Sequence, residues 1–250
     1  MSDIIIPGVG SLQPVPALDH LDLLAPPVAR ALTALAERGV ATASSALAVA
    51  IDPELADTEV MTREFGMDLA LSSNCILVAG KRAGEERIAA CVVRATTNAD
   101  VNHVVKKRLD VSKASFWPQD RAVEASGMEY GGITPVGVPS SWRLLIDSAC
   151  ASGWSCIGSG LRRSKLFVTG EVLAALPHRF TRVSRGTRPG RGKVIAARLT
   201  LAREPPRPGS SARGRRQGQA THSDMPRPIG GRREACGAWP VHTARQVPPT

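Results

Sequence analysis

The 250-residue chain is 43% hydrophobic, enough for a packed core. Its formal charge of +10 is unevenly spread: residues 1–176 hold 16 Lys and Arg against 19 Asp and Glu, and residues 177–250 hold 16 against 3. The part with folded-domain patterning is therefore mildly acidic, which excludes a strongly basic nucleic-acid-binding domain there. Five cysteines (75, 91, 150, 156 and 236) form no CxxC pair and are expected to be reduced, mostly buried thiols. The first ten residues lack a basic n-region and a long apolar stretch, and no run of about 18 apolar residues occurs. Neither a secretory signal nor a membrane span is expected, and the reading is cytoplasmic.

Residues 1–21 are an irregular lead-in rich in Pro and Gly. From Asp22 to Arg38, apolar residues recur near helical spacing and Gly39 follows where a helix-terminating glycine is expected. Residues 46–51 predict a strand ending at Asp52-Pro53. Residues 57–65 predict a short helix capped by Asp57 or Thr58 and ended by Gly66. Two β-prone runs, 75–79 and 88–93, flank the link Gly80–Glu85 and predict an antiparallel hairpin. Residues 100–109 predict a helix with Val101, Val104, Val105 and Leu109 inward; its Lys106-Lys107-Arg108 run has the ordinary reading of a solvated face. A short extended piece at 115–117 precedes a helix over 119–126 begun by Pro118. Strands at 143–146 and 165–168 and a helix over 171–176 close the unit. Strict βαβα alternation is absent, so the fold class is α/β of the α+β type, with a mixed, curved sheet surrounded by helices.

Beyond residue 176, 15 Arg, 10 Pro and 9 Gly fill 74 positions, a composition too poor in apolar residues to offset chain entropy and expected to be disordered. Apolar periodicity survives only at 194–201. Two readings stand for this segment: a basic arm with non-specific polyanion affinity, or an incidental stretch of the kind GC-rich DNA encodes out of frame.

The stretch that organises the chain is Gly131-Gly132-Ile133-Thr134-Pro135-Val136-Gly137. Three glycines and a proline in seven residues let backbone groups approach a ligand closely, or simply connect a helix to a strand. Gly158-Ser159-Gly160, followed by Arg162, Arg163, Ser164 and Lys165, couples a turn to cations and hydroxyls that suit a phosphate or an RNA end; an exposed hairpin turn is the competing reading. No GxSxG elbow, HExxH or Walker A motif is present. His20 and His103, the histidines before residue 177, have no catalytic partner in the sequence. No metal or cofactor is called for.

Asn74–Ala79, Ile88–Ala95, the helix over 100–109, Met128–Gly137, the strand ending at Asp147 and Ile157–Leu176 follow in an order that resembles the YbaK/prolyl-tRNA-synthetase-associated editing domain family. Gly131–Pro135 matches that family's GxxxP loop. The resemblance spans about residues 45–176, and the domain is placed at 22–176. It implies a barrel-like mixed sheet and hydrolysis of mischarged aminoacyl-tRNA, with an aminoacyl-tRNA synthetase as a possible second partner. It also implies catalytic backbone groups at Gly131, Gly132, Ile133, Thr134 and Pro135, and a substrate pocket lined by Ser73, Asn74, Gly158, Ser159 and Gly160. One departure stands out: many members carry a lysine where this chain has Asn74, which brings hydrogen bonds but no charge. That departure motivates an alternative, a non-catalytic module that binds tRNA ends or a synthetase.

Overall fold

The computed structural model describes residues 4–177 and 179–183; the 194–201 segment, Cys236 and most of the basic stretch lie outside them. Nine strands and six α-helices follow in the order β1 (Val15–Pro16), α1 (Pro26–Glu37), α2 (Ala41–Ser44), β2 (Leu47–Ala50), α3 (Thr58–Phe65), β3 (Ser73–Arg82), β4 (Glu85–Arg94), α4 (Lys106–Leu109), β5 (Ala114–Phe116), α5 (Gln119–Ser126), β6 (Arg143–Asp147), β7 (Trp154–Gly158), β8 (Ser164–Thr169), α6 (Gly170–Ala174) and β9 (Arg179–Val183). The strands form two sheets, ordered β1-β2-β8-β7 and β5-β3-β4-β6-β9. The fold is mixed α+β as expected, but the single barrel-like sheet is not what forms. The two sheets meet at a bridge between Ser72 and Cys156, where the Cys156 N–H donates to Leu71 O at 2.9 Å.

The first sheet is antiparallel throughout; in the second, β4–β6 and β6–β9 are parallel. Strand β4 is central, so both its faces are covered, and Ala89 through Arg94 are all buried, which is why it reads as an unbroken apolar run. The predicted hairpin is present but longer than its apolar runs. The strands pair continuously from Ser73–Arg94 to Arg82–Glu85, and the turn is only Ala83-Gly84, with φ of +50° and +84°. Gly80 stays inside β3, where a Cβ would come within 2.4 Å of Lys113 O. The helix predicted from Asp22 starts later, because 3-10 geometry at Leu21–Leu23 gives way to α1 only at Pro26. The 100–109 helix opens as a π-helical turn over Val101–Val105, with the Asp100 side chain accepting from the His103 N–H, before α4. Beyond residue 176, β9 adds one more parallel strand.

Three apolar clusters hold these layers. The largest packs α1 and α6 against one face of the second sheet, through Leu77, Ala90, Val92, Leu144 and Ile146, and against Leu166 and Val168 of β8. A second joins the lead-in, by Ile6 and Leu12, to Val49, Met61 and Phe167. The third lies on the opposite face of the five-stranded sheet, where Val105 and Leu109 cover Val78, Ala89, Cys91 and Leu145. Arg94 fastens the sheet junction: its guanidinium donates to the carbonyls of Leu71, Ala149 and Trp154 and to Ser73 Oγ, at 2.9–3.2 Å.

Candidate functional site

The glycine loop leaves α5 through Gly127 and reaches β6 at Arg143. It is held against the Gly158–Gly160 turn between β7 and β8, backbone to backbone. The Gly160 N–H donates to Gly132 O at 2.8 Å, and the Glu129 N–H donates to Gly160 O at 2.8 Å. A Cβ on Gly132 would stand 2.6 Å from Leu161 C, and one on Gly158 would stand 2.2 Å from Gly132 O. Only glycine permits this approach at either position. The two glycine-rich stretches singled out from the sequence thus form one unit, locked on its outer side by the Glu129 carboxylate, which accepts from the Arg162 N–H at 2.7 Å.

Within this loop only the Gly132 N–H is bonded, to Glu129 O; the N–H groups of Gly131, Ile133, Thr134, Val136 and Gly137 make no hydrogen bond among the described residues, and those of Ile133 and Thr134 are consecutive. Thr134 is fully buried, and its Oγ1 also has no hydrogen-bond partner there. Buried donors are normally satisfied, and leaving one unpaired costs roughly 1–3 kcal/mol. Two successive amides and a hydroxyl with spare capacity at one bend can serve an oxyanion or a water.

The remaining candidates divide. Asn74 Oδ1 accepts from Thr58 Oγ1, 3.1 Å away at the start of α3. The neighbouring Asp57 carboxylate lies 3.8 Å from the Arg162 guanidinium, which in turn lies over Gly131, whose added Cβ would meet Arg162 Nη1 at 2.4 Å. Asn74 is therefore connected to the glycine loop through Thr58, Asp57 and Arg162. Tyr130 belongs to the same group: burial, and then the Asp57 charge, push its hydroxyl above the usual tyrosine range. By contrast, Ser73 and Ser159 turn inward. Ser73 Oγ contacts Cys150 Sγ and receives Arg94. Ser159 Oγ, with no exposure, bonds Ser164 Oγ at 2.7 Å, and Ser164 donates to Leu23 O.

The cations of the turn likewise separate. Arg163 leads away to Asp22 O, whereas Lys165 is buried and donates to Ala56 O at 2.7 Å, with its pKa lowered by that burial. His103 is exposed and bonded to Asp100. Cys75 is half-buried and its thiol is pushed up to about 12 by desolvation, so it supplies no thiolate near neutral pH. Among the described residues no group of three His, Cys, Asp or Glu gathers to hold a metal, and no helix is long and apolar enough to cross a membrane. Sequence reasoning missed Asp57 and Thr58 as anything but a cap, and it missed Tyr130. The signal for Tyr130 was available, since it is the only tyrosine in the chain and it abuts the loop.

The domain is thus a mixed two-sheet α+β unit whose glycine loop is clamped by a second glycine turn. The aminoacyl-tRNA editing domain model matches residues 39–176, more than half of the chain, and the chain belongs to that family. Solved structures agree on the fold. A candidate trans-editing enzyme for prolyl tRNA synthetase superposes with a TM-score of 0.51 at 17% identity, covering 65% of this chain and 99% of that one. A scaffold protein carrying a computationally grafted epitope gives 0.52 at 16% identity, covering 65% and 100%. The hypothetical protein APE2540 gives 0.50 at 17%, covering 60% and 97%. No curated protein matches the chain.

Proposed function

We propose that the chain is a trans-editing hydrolase that cleaves the ester of a mischarged aminoacyl-tRNA, with Gly131–Pro135 as its platform. The observation that carries this reading is the pair of unsatisfied amides at Ile133 and Thr134. Donors fixed in a bend and aimed at a developing oxyanion need no reorganisation as charge forms, and one such donor is typically worth about 10²–10³ in rate. Gly132, Gly158 and Gly160 hold the bend rigid, Thr134 Oγ1 is available to a water, and Asn74 and Arg162 edge the pocket. An activated ester positioned against such dipoles does not need a nucleophilic side chain. Walls made of backbone exclude larger side chains but gain little from an extra methylene, so discrimination is by size. Family membership supports the substrate class, aminoacyl-tRNA, and its compartment, the cytoplasm; the basic stretch after residue 183 would add non-specific RNA affinity.

The test is release of amino acid from a panel of mischarged tRNAs by the purified full chain. Turnover of at least one, with correctly charged tRNAs spared, is the expected result. Tight binding of a stable aminoacyl-tRNA analogue with no turnover anywhere would replace the enzyme by a binding module, the reading that Asn74, engaged by Thr58 and uncharged, favours.

A further inference from the structure

A second surface lies on the five-stranded sheet, away from the loop. Residues 1–176 are acidic overall, yet six cations gather at the end of α4. Lys106, Lys107 and Arg108 come from the helix itself. Arg82 and Arg87 reach in from the hairpin, donating to the Asp110 carboxylate at 3.1 and 2.8 Å, and Arg87 also donates to the carbonyls of Leu109 and Asp110. Arg143 of β6 donates to Arg108 O. Asp110 is the one carboxylate these contacts engage, and Arg87 followed by Arg82 holds it below the usual carboxylate range. The cluster therefore stays net positive, and three of its members are immobilised before any partner arrives, which lowers the entropy lost on binding.

Two further features suit a nucleic acid. Phe116, on the edge strand β5, is 61% exposed and sits opposite Val78, on the sheet face that Val105 and Leu109 cover. Across the same sheet, at β4 and β6, a concavity of about 330 Å³ is lined by Glu86, Arg87, Ile88, Ser141, Trp142 and Arg143. The surface is also in register with the candidate site. Asn74, Ile76 and Val78 alternate onto one face of β3, so the Phe116 rung lies about 13 Å along the strand from Asn74, and Arg82 about 26 Å.

We infer that the end of α4, with Arg82, Arg87, Arg143 and Phe116, is a docking surface for the sugar–phosphate backbone of an RNA whose acylated end occupies the glycine-loop site. Its identification of the partner as an acylated RNA rests on the proposed deacylase reading. Lys and Arg neutralise phosphates, and the exposed ring offers a face on which an unpaired base stacks.

The experiment measures binding of deacylated tRNA to the full chain across a salt series, for wild type, Lys107→Ala/Arg108→Ala and Phe116→Ala, all three positions being exposed. Hydrolysis of a mischarged ester on a dinucleotide, too short to reach the surface, is followed in parallel. The double variant is expected to bind tRNA about 10-fold more weakly and to lower the log–log salt slope by about 2. Phe116→Ala weakens binding with the slope intact, and all three proteins cleave the dinucleotide ester equally. Affinity within twofold of wild type and an unchanged slope in the double variant would overturn the inference. So would competition by polyglutamate as effective as that by tRNA, which would assign the surface to an acidic protein. Loss of tRNA binding in the double variant, with no ester cleaved even by wild type, would sustain the surface and overturn the deacylase reading instead.

Discussion

Replacing Gly132 by alanine isolates the loop's clamp from every other feature. Its φ lies outside the left-handed region, so the substitution is purely steric: the new Cβ would stand 2.6 Å from Leu161 C, 2.7 Å from its O and 2.8 Å from its N. Ordinary contact begins near 3.4 Å, and the obstacle is backbone, so loop and turn must separate by about 0.8 Å. Overpacking of this kind costs about 1–3 kcal/mol. For a domain of this size, at about 2–4 °C per kcal/mol, that lowers Tm by about 2–12 °C. The same displacement moves the Ile133 and Thr134 amides, and a shift approaching 1 Å in a positioned group is worth about 10²-fold in rate. The assay pairs thermal unfolding with single-turnover deacylation. Gly153→Ala is the control: Gly153, unlike Gly132, has a left-handed backbone, φ +69°, and nothing stands within 4 Å of its added Cβ. It should cost about 1 kcal/mol and leave turnover intact. Wild-type turnover in Gly132→Ala, or an equal loss in Gly153→Ala, would refute the claim that backbone contact at the turn sets the site.

Other consequences follow from the fold. Ala83 holds a left-handed conformation at φ +50° in the hairpin turn, so Ala83→Asn should raise stability by about 0.5–1 kcal/mol; an unchanged or lower Tm would contradict the turn geometry. Arg94→Met removes the donor to three carbonyls at the sheet junction and, at roughly 1–3 kcal/mol for each buried acceptor left unpaired, should destabilise by about 3 kcal/mol or more, measured by urea unfolding. Burial raises the thiols of Cys75 and Cys156 to about 12 and pushes those of Cys91 and Cys150 upward as well. At pH 8 the three buried thiols, Cys91, Cys150 and Cys156, should resist a thiol-specific reagent in the native protein and react only on unfolding. Because the folded-state pKa values are raised, the native thiols hold their protons above pH 9 while unfolded thiols lose theirs, so these groups lower stability as pH rises from about 9 toward 12. Rapid native labelling at these positions would place them outside the core.

The loop and the turn explain each other in a way neither does alone. The buried, unpaired Thr134 hydroxyl opposes folding, and the contacts that hold the bend are made elsewhere, through Gly160, Glu129 and Arg162. Arg162 is the residue that ties this platform to Asp57 and so to the Asn74 side of the pocket. The uncharged Asn74 therefore has a cation in its network, supplied by the connection between β7 and β8.

Local patterns were legible in the amino-acid sequence because they depend on neighbours a few positions apart. The apolar period through 26–37, the terminating glycines at 39, 66 and 127, the two runs that became β3 and β4, and the order of motifs around Gly131–Pro135 were all sufficient to assign the elements and the family. What local spacing does not carry is which distant segments pair and which way a side chain turns once they do. The division into two sheets depends on pairings such as β2 with β8 and β4 with β6, separated by dozens of residues, and their selection reflects sheet twist and closure of long loops. The same holds for the site. Ser73 and Ser159 read as pocket hydroxyls until packing turned them toward Arg94 and Ser164. Asp57, Thr58 and Tyr130 joined Asn74 and Arg162 only because α3, β3 and the β7–β8 turn converge. Sequence determined that there would be a glycine loop; the tertiary contacts at Leu161 and Gly160 decided what its backbone is held against.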